Sequence, residues 1–192
     1  VRLEDFRAAL VDELGDAMDL IRDEQLDRWV NRGRVRLGIY DAKSVDLEWS
    51  SNATEVEFPE DYARFDRLIA TPLIAVIPQY TVLTRSLSFL DPERVGAGSG
   101  TLYYGAFFPP ISASVESTMP PLADEAVVSY ALARFFRRIA TTRSDFRRYT
   151  SITGQNGVDV ADLIDLAERH DADFEAARAD LVNAAPAAFY GD

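Results

Sequence analysis

Leu3, Phe6, Leu10, Leu14, Ala17 and Ile21 recur at steps of three and four residues, the spacing of one apolar helix face. Asp23 and Glu24 can cap a second helix that carries Leu26, Trp29, Val30, Leu37 and Tyr40. Gly33 and Gly38 weaken that helix and blur its end. From residue 45 the period changes to two. Val45, Leu47 and Trp49 alternate with Asp46 and Glu48, and Val56 and Phe58 alternate with Glu55 and Glu57. The polar stretch Ser50-Ser51-Asn52 lies between the two runs, which together predict a β-hairpin. Pro59-Glu60-Asp61 predicts a short helical turn. Further strand-like runs cover residues 68–77, 80–90 and 101–108, punctuated by Pro72, Pro78, Pro92, Pro109 and Pro110.

The helical period returns after Pro120-Pro121. Val128, Ala131, Leu132, Phe135 and Ile139 define one face of a helix over 123–142. Val160, Leu163, Ile164, Ala167, Phe174 and Leu181 define a last helix over 158–182, which Pro186 ends. Helices, then strands, then helices favour an α+β fold over a doubly wound parallel sheet. The expected organisation is one domain over 1–192: a helical part (1–44), an antiparallel β-rich insertion (45–122), a second helical part (123–185) and a tail (186–192). About four helices would form a bundle around the insertion. A chain of 192 residues is long enough to bury its own core without a metal or disulfide staple.

Composition removes several chemistries. There is no cysteine, so disulfides, thiolate metal sites and a cysteine nucleophile are excluded. The longest purely apolar run, residues 73–77, is far short of the roughly 20 residues of a membrane helix, so a soluble protein without membrane contact is expected. Twenty basic against 32 acidic residues leave a net charge of −12, a poor basis for general binding to DNA phosphates or anionic membranes. Charge is also segregated. Residues 123–157 hold 6 basic and 3 acidic side chains, whereas residues 158–192 hold 2 basic and 9 acidic. Helices of opposite sign can pair within one subunit or between identical subunits, and the sequence leaves both open.

Candidate sites for catalysis are poor. His170 is the sole histidine, so a second nitrogen ligand for a metal is impossible. Gly96, Gly98 and Gly100 resemble a phosphate loop, but a strand-like run follows them where a helix N-terminus is needed, and a flexible hairpin tip is expected. The pairs Glu55/Glu57 and Asp162/Asp165 are better explained by solubility than as acid–base carboxylates. No cofactor, metal or catalytic residue is expected. Candidate interaction residues are more numerous. Arg134, Arg137 and Arg138 form a helical stripe that Arg143, Arg147 and Arg148 continue. Arginine forks favour carboxylate pairing, and the overall charge favours a protein neighbour over phosphate. Tyr103, Tyr104, Phe107 and Phe108 place rings on both sides of one strand, which then needs cover on both faces. Phe189 and Tyr190 put two aromatics in the tail.

One ordered set of features resembles the head-to-tail adaptor (head–tail connector) proteins of tailed bacteriophages. It begins with Phe58-Pro59-Glu60-Asp61-Tyr62, then Arg64 and Leu68-Ile69, and continues with Tyr80 opening a strand and the Gly-rich tip. Leu102-Tyr103-Tyr104 leads to Pro109-Pro110-Ile111-Ser112, and Pro120-Pro121-Leu122 precedes the Ala- and Tyr-containing helix over 127–136. The resemblance implies a non-enzymatic virion protein of the phage neck, assembled in the host cytoplasm. Its subunits would form a ring, commonly twelvefold, between the portal protein and the stopper or tail-completion protein. Double-stranded DNA would pass through the lumen without sequence-specific binding. On this expectation the Gly-rich loop, Tyr103, Tyr104 and Phe107 meet neighbouring subunits or tail components, and the last helix with Phe189 and Tyr190 docks on the portal. The alternatives are a stopper or tail terminator of the same neck, a regulatory module binding nucleic acid through the arginine stripe, and a hydrolase using His170 or a carboxylate pair.

Overall fold

A helix that is apolar on one side lies on a surface, whereas one that is apolar nearly all round must be surrounded. The helix following Pro120 is of the second kind. In the computed structural model, which describes residues 1–71, 75–155 and 157–184, the chain divides into two compact units. One comprises Val1–Ile39 and Phe108–Asp192, the other Tyr40–Phe107. The fold is α+β, with five α-helices and two small antiparallel sheets among the described residues.

The helical unit contains α1 (Leu3–Leu14), α2 (Asp23–Leu37), α3 (Pro121–Thr141), α4 (Arg143–Thr153) and α5 (Val160–Ala184). Pro121 occupies the first turn of α3, where its missing N–H costs nothing. Val127, Tyr130, Ala131, Leu132, Phe135, Phe136 and Ile139 are all buried, and α1, α2, α4 and α5 each pack against this helix. α5 runs antiparallel to α3: His170 stacks on Phe136 and Phe174 packs on Tyr130. The reciprocal backbone bonds of Asp159 and Asp162 (2.8 and 2.9 Å) cap its N-terminus.

The sequence suggests one helix through Ile21, but α1 stops at Leu14. Gly15 has φ 52°, and a 3-10 segment, Gly15–Leu20, carries Ala17 and Leu20 on into the core. α2 closes on Gly38 in the left-handed conformation (φ 67°), so Tyr40 lies beyond it. α4 was not legible in the pattern. Thr142 takes an extended conformation after α3, and only one α4 residue, Tyr149, is fully buried, against Phe135.

The β unit holds two three-stranded sheets in the orders β1-β6-β3 and β2-β5-β4. The strands are β1 (Asp41–Trp49), β2 (Glu55–Glu57), β3 (Tyr62–Ala70), β4 (Tyr80–Val82), β5 (Ser86–Phe89) and β6 (Gly98–Ala106). The predicted hairpin is not formed. Ser50 to Ala53 do make a turn, with Asn52 at φ 61°, but β1 pairs with β6 while β2 pairs with β5. The Asn52 N–H is taken by the Val95 carbonyl (2.8 Å), which redirects the chain from one sheet to the other. Pro59-Glu60-Asp61 forms a single tight turn, closed by Tyr62 N–H donating to the Pro59 carbonyl (3.0 Å), and not a helix. Leu102 at the centre of β6 is fully buried among Leu47, Trp49, Leu68, Phe89 and Tyr104.

The β unit is narrower than the alternating pattern suggests. Phe108, Ile111 and Met119 follow β6 but are buried in the core of the helical unit. They belong to the helices by packing although they read as strand and loop by sequence.

Candidate interaction surfaces

The arginine stripe of α3 is turned inward. Arg137 pairs with Asp171 on α5 at 2.5 Å, and Arg134 approaches the other oxygen of the same carboxylate at 3.8 Å. Arg134 also lies over the Tyr130 ring, 4.7 Å from its centroid. Arg138 bonds Asp145 on α4 (3.1 Å) and the side-chain oxygen of Gln25 on α2. All three guanidinium groups therefore have a partner within the chain, while Arg137 stays partly exposed. Arg143, Arg147 and Arg148 on α4 are exposed and have no ion pair to a described residue.

The aromatic run on β6 separates by face. Tyr104 points into the β core and is 4% exposed. Its hydroxyl donates to Asp61 (3.0 Å), and Lys43 on β1 donates to the other oxygen of that carboxylate (2.7 Å). Lys43 and then Tyr104 hold the Asp61 carboxyl below its ordinary range against the opposing effect of burial. The Asp61 backbone carbonyl accepts from Phe107 N–H (2.9 Å), so this one residue ties β1, the turn before β3 and the end of β6 together. Tyr104 is thus a core residue and not an interface residue. Tyr103 lies on the opposite face, half-buried under the Arg67 guanidinium at 4.8 Å. Phe107 is 46% exposed and packs edge-on against Tyr40 at 5.8 Å. Of the predicted aromatic surface, Tyr103 and Phe107 remain accessible.

The Gly-rich stretch is not a flexible tip. Gly98 and Gly100 are strand residues of β6, paired with Trp49 and Leu47. A Cβ on Gly98 would lie 2.9 Å from the Trp49 indole nitrogen, and one on Gly100 would lie 2.8 Å from the Ile69 carbonyl oxygen. The glycines let a tryptophan and a neighbouring strand approach the backbone.

The pattern marks α2 as a helix but not as an anchoring surface. Asn31 forms a two-bond clasp with Ile111: its Nδ2 donates to the Ile111 carbonyl (3.0 Å), and Ile111 N–H donates to its Oδ1 (2.9 Å). Arg34 donates to the Phe108 carbonyl, and burial lowers its pKa from the ordinary value. Together they fasten the 108–111 segment to α2. Next to them lies a groove lined by Arg28, Arg32, Val35, Pro110 and Tyr130. The only sequence signal was four arginines within nine residues of a helix that otherwise mixes charges.

The remaining candidates have local roles. His170 lies flat on Phe136 (ring centroids 5.7 Å apart, planes at 6°), and burial lowers its pKa. Asp162 serves the α5 cap. Glu55 and Glu57 are exposed on β2, where Glu55 accepts from Ser86. Among the described residues, no group of three or more His, Asp or Glu side chains is placed to hold a metal ion, and no helix is long and apolar enough to cross a membrane. Phe189 and Tyr190 lie outside the described residues. No protein-family model and no curated protein matches the chain.

Proposed function

We propose that this chain is a non-enzymatic head-to-tail adaptor of a tailed bacteriophage, a helical bundle with an antiparallel β insertion that assembles as a ring between portal and stopper and extends the DNA channel. The observation that carries this reading is how the quoted motif residues fall on the junctions of the architecture. Asp61 of the Phe-Pro-Glu-Asp-Tyr turn links three parts of the β unit. Leu102 and Tyr104 are the centre of its core. Pro110 and Ile111 lie in the segment that Asn31 and Arg34 clasp, and Pro120-Pro121 opens the central helix. The net charge of −12 suits a channel wall past which DNA slides without adhering.

The test is cryo-electron microscopy of the full chain incubated with the portal protein from the same genome, with the chain alone as control. A ring bound beneath the portal is the expected result. A folded chain that ignores the portal but binds the tail tube is a terminator or stopper and overturns the adaptor assignment. High-affinity, steeply salt-dependent binding to free duplex DNA would favour a regulatory module instead.

A further inference from the structure

We propose that the arginine-rimmed groove on α2 is the docking site for the outward face of α5 in a second copy of this chain, so that copies join head to tail. The inference rests on the ring reading above and names the two surfaces that would close it.

The groove has two chemistries. Arg28 and Arg32, one helical turn apart, are exposed and have neither an ion pair nor a hydrogen bond to a described residue. Between them and α3 lies an apolar floor of Val35 (55% exposed), Pro110 and the Tyr130 ring. Arg34 and Arg36 also line the groove but are already held, by the Phe108 carbonyl and by Glu175. The fitting occupant therefore brings carboxylates and aliphatic side chains on one face. A phosphate backbone brings nothing for Val35 and Pro110.

The first half of α5 carries that combination. Its periodicity predicts Val160 and Ile164 as core residues, yet the structure leaves them 41% and 40% exposed, one turn apart. Asp165 and Glu168 flank them, also exposed and without a described partner, and the small side chains of Ala161 and Ala172 keep the face low. Within one chain this face cannot reach the groove. Tyr130 at the groove packs on Phe174, ten residues beyond Ile164 and so about 15 Å further along the helix axis. Two different complementary surfaces on one molecule make a heterologous contact, which propagates into a ring or a filament.

The test is sedimentation velocity and light scattering on the full chain and on two reversed variants, R28E/R32E and D165R/E168R, with circular dichroism as the folding control. The expected wild-type result is self-association that weakens severalfold between about 0.05 M and about 0.5 M NaCl. Each variant alone should associate at least tenfold more weakly. An equimolar mixture of the two should regain assembly, because every junction is then again opposite in charge. An assembly unaffected by either reversal, or a mixture that stays dissociated while wild type assembles, overturns the surface assignment but not the adaptor reading. A wild-type chain that stays monomeric alone and still forms a ring under the portal, insensitive to both reversals, overturns the proposal but not the adaptor reading. Loss of duplex-DNA binding in R28E/R32E without any effect on self-association overturns it in favour of a nucleic-acid surface.

Discussion

Asn31→Ala removes the clasp on Ile111 and should destabilise the helical unit by about 2–4 kcal/mol. Ile111 is 2% exposed, and its N–H and C=O each have the Asn31 amide as partner, at 2.9 and 3.0 Å. Each neutral bond contributes roughly 1 kcal/mol net, rising to about 2 kcal/mol where the backbone group left behind stays buried without a partner, which for two bonds gives the stated range. With a urea m-value of about 2 kcal/mol/M, the unfolding midpoint should fall by about 1–2 M. Trp29 is a buried reporter two residues upstream on α2, and Trp49→Phe removes the signal of the other tryptophan, which lies in the β unit. Asn31→Asp gives a sharper control. Its carboxylate still accepts from Ile111 N–H but faces the Ile111 carbonyl with no donor. Protonation restores a donor, so the folded-state pKa of the new group lies above its unfolded value. The recovered stability is therefore present at low pH and is lost as pH rises through that folded pKa. The deficit of Asn31→Asp should shrink as pH falls from 7 toward 4, whereas that of Asn31→Ala should not. A shift below about 0.5 kcal/mol for Asn31→Ala would refute the idea that this amide fastens the re-entering chain.

Three further outcomes are expected. Asp61→Asn should destabilise the β unit at pH 7 by about 1–2 kcal/mol through weaker bonds to Lys43 and Tyr104. Because the Asp61 pKa is depressed, its contribution is present above about pH 4 and is lost as pH falls through the folded value, so Trp49 fluorescence of the variant should show a flatter acid profile than wild type. Burial lowers the His170 pKa, so protons bind the unfolded chain preferentially just below about pH 6.5. Urea midpoints should therefore fall with pH in that window for wild type but not for His170→Gln. Gly98→Val should cost at least about 2 kcal/mol, because its Cβ meets the Trp49 indole, whereas Gly96→Ala, with nothing within 4 Å, should lie within about 0.5 kcal/mol of wild type in thermal melts.

Free arginines and paired arginines look alike in a sequence. The stripe at Arg134, Arg137 and Arg138 is conspicuous at helical spacing, yet Asp171, Asp145 and Gln25 occupy it from elements 7 to 113 residues away. The less conspicuous Arg28 and Arg32 are exposed, as are Arg143, Arg147 and Arg148 at the end of the stripe. The clasp by Asn31 was equally hidden, since a single asparagine on a helix face carries no pattern, and its partner is 80 residues distant.

Periodicity alone determined the α+β order, the apolar stripes of α2 and α3, the Leu163, Ala167 and Phe174 part of the α5 stripe, and the Leu102-Tyr104 strand, because a side chain's face follows from its spacing along the element. The lack of cysteine likewise removed whole chemistries before any fold was known. Tertiary structure alone decided which strands pair. The alternating runs around Ser50–Asn52 are compatible with a hairpin, but the Val95 carbonyl and the room left at Gly98 and Gly100 favour β6 as the partner of β1. It also reversed the meaning of Gly33, a weak point of α2 by propensity, where a Cβ would stand 3.0 Å from the Tyr130 ring and hold α2 away from α3. Local spacing says which side of an element is apolar, and only long-range packing says what meets it and which apolar or charged side, such as Ile164 or Arg32, is left without cover.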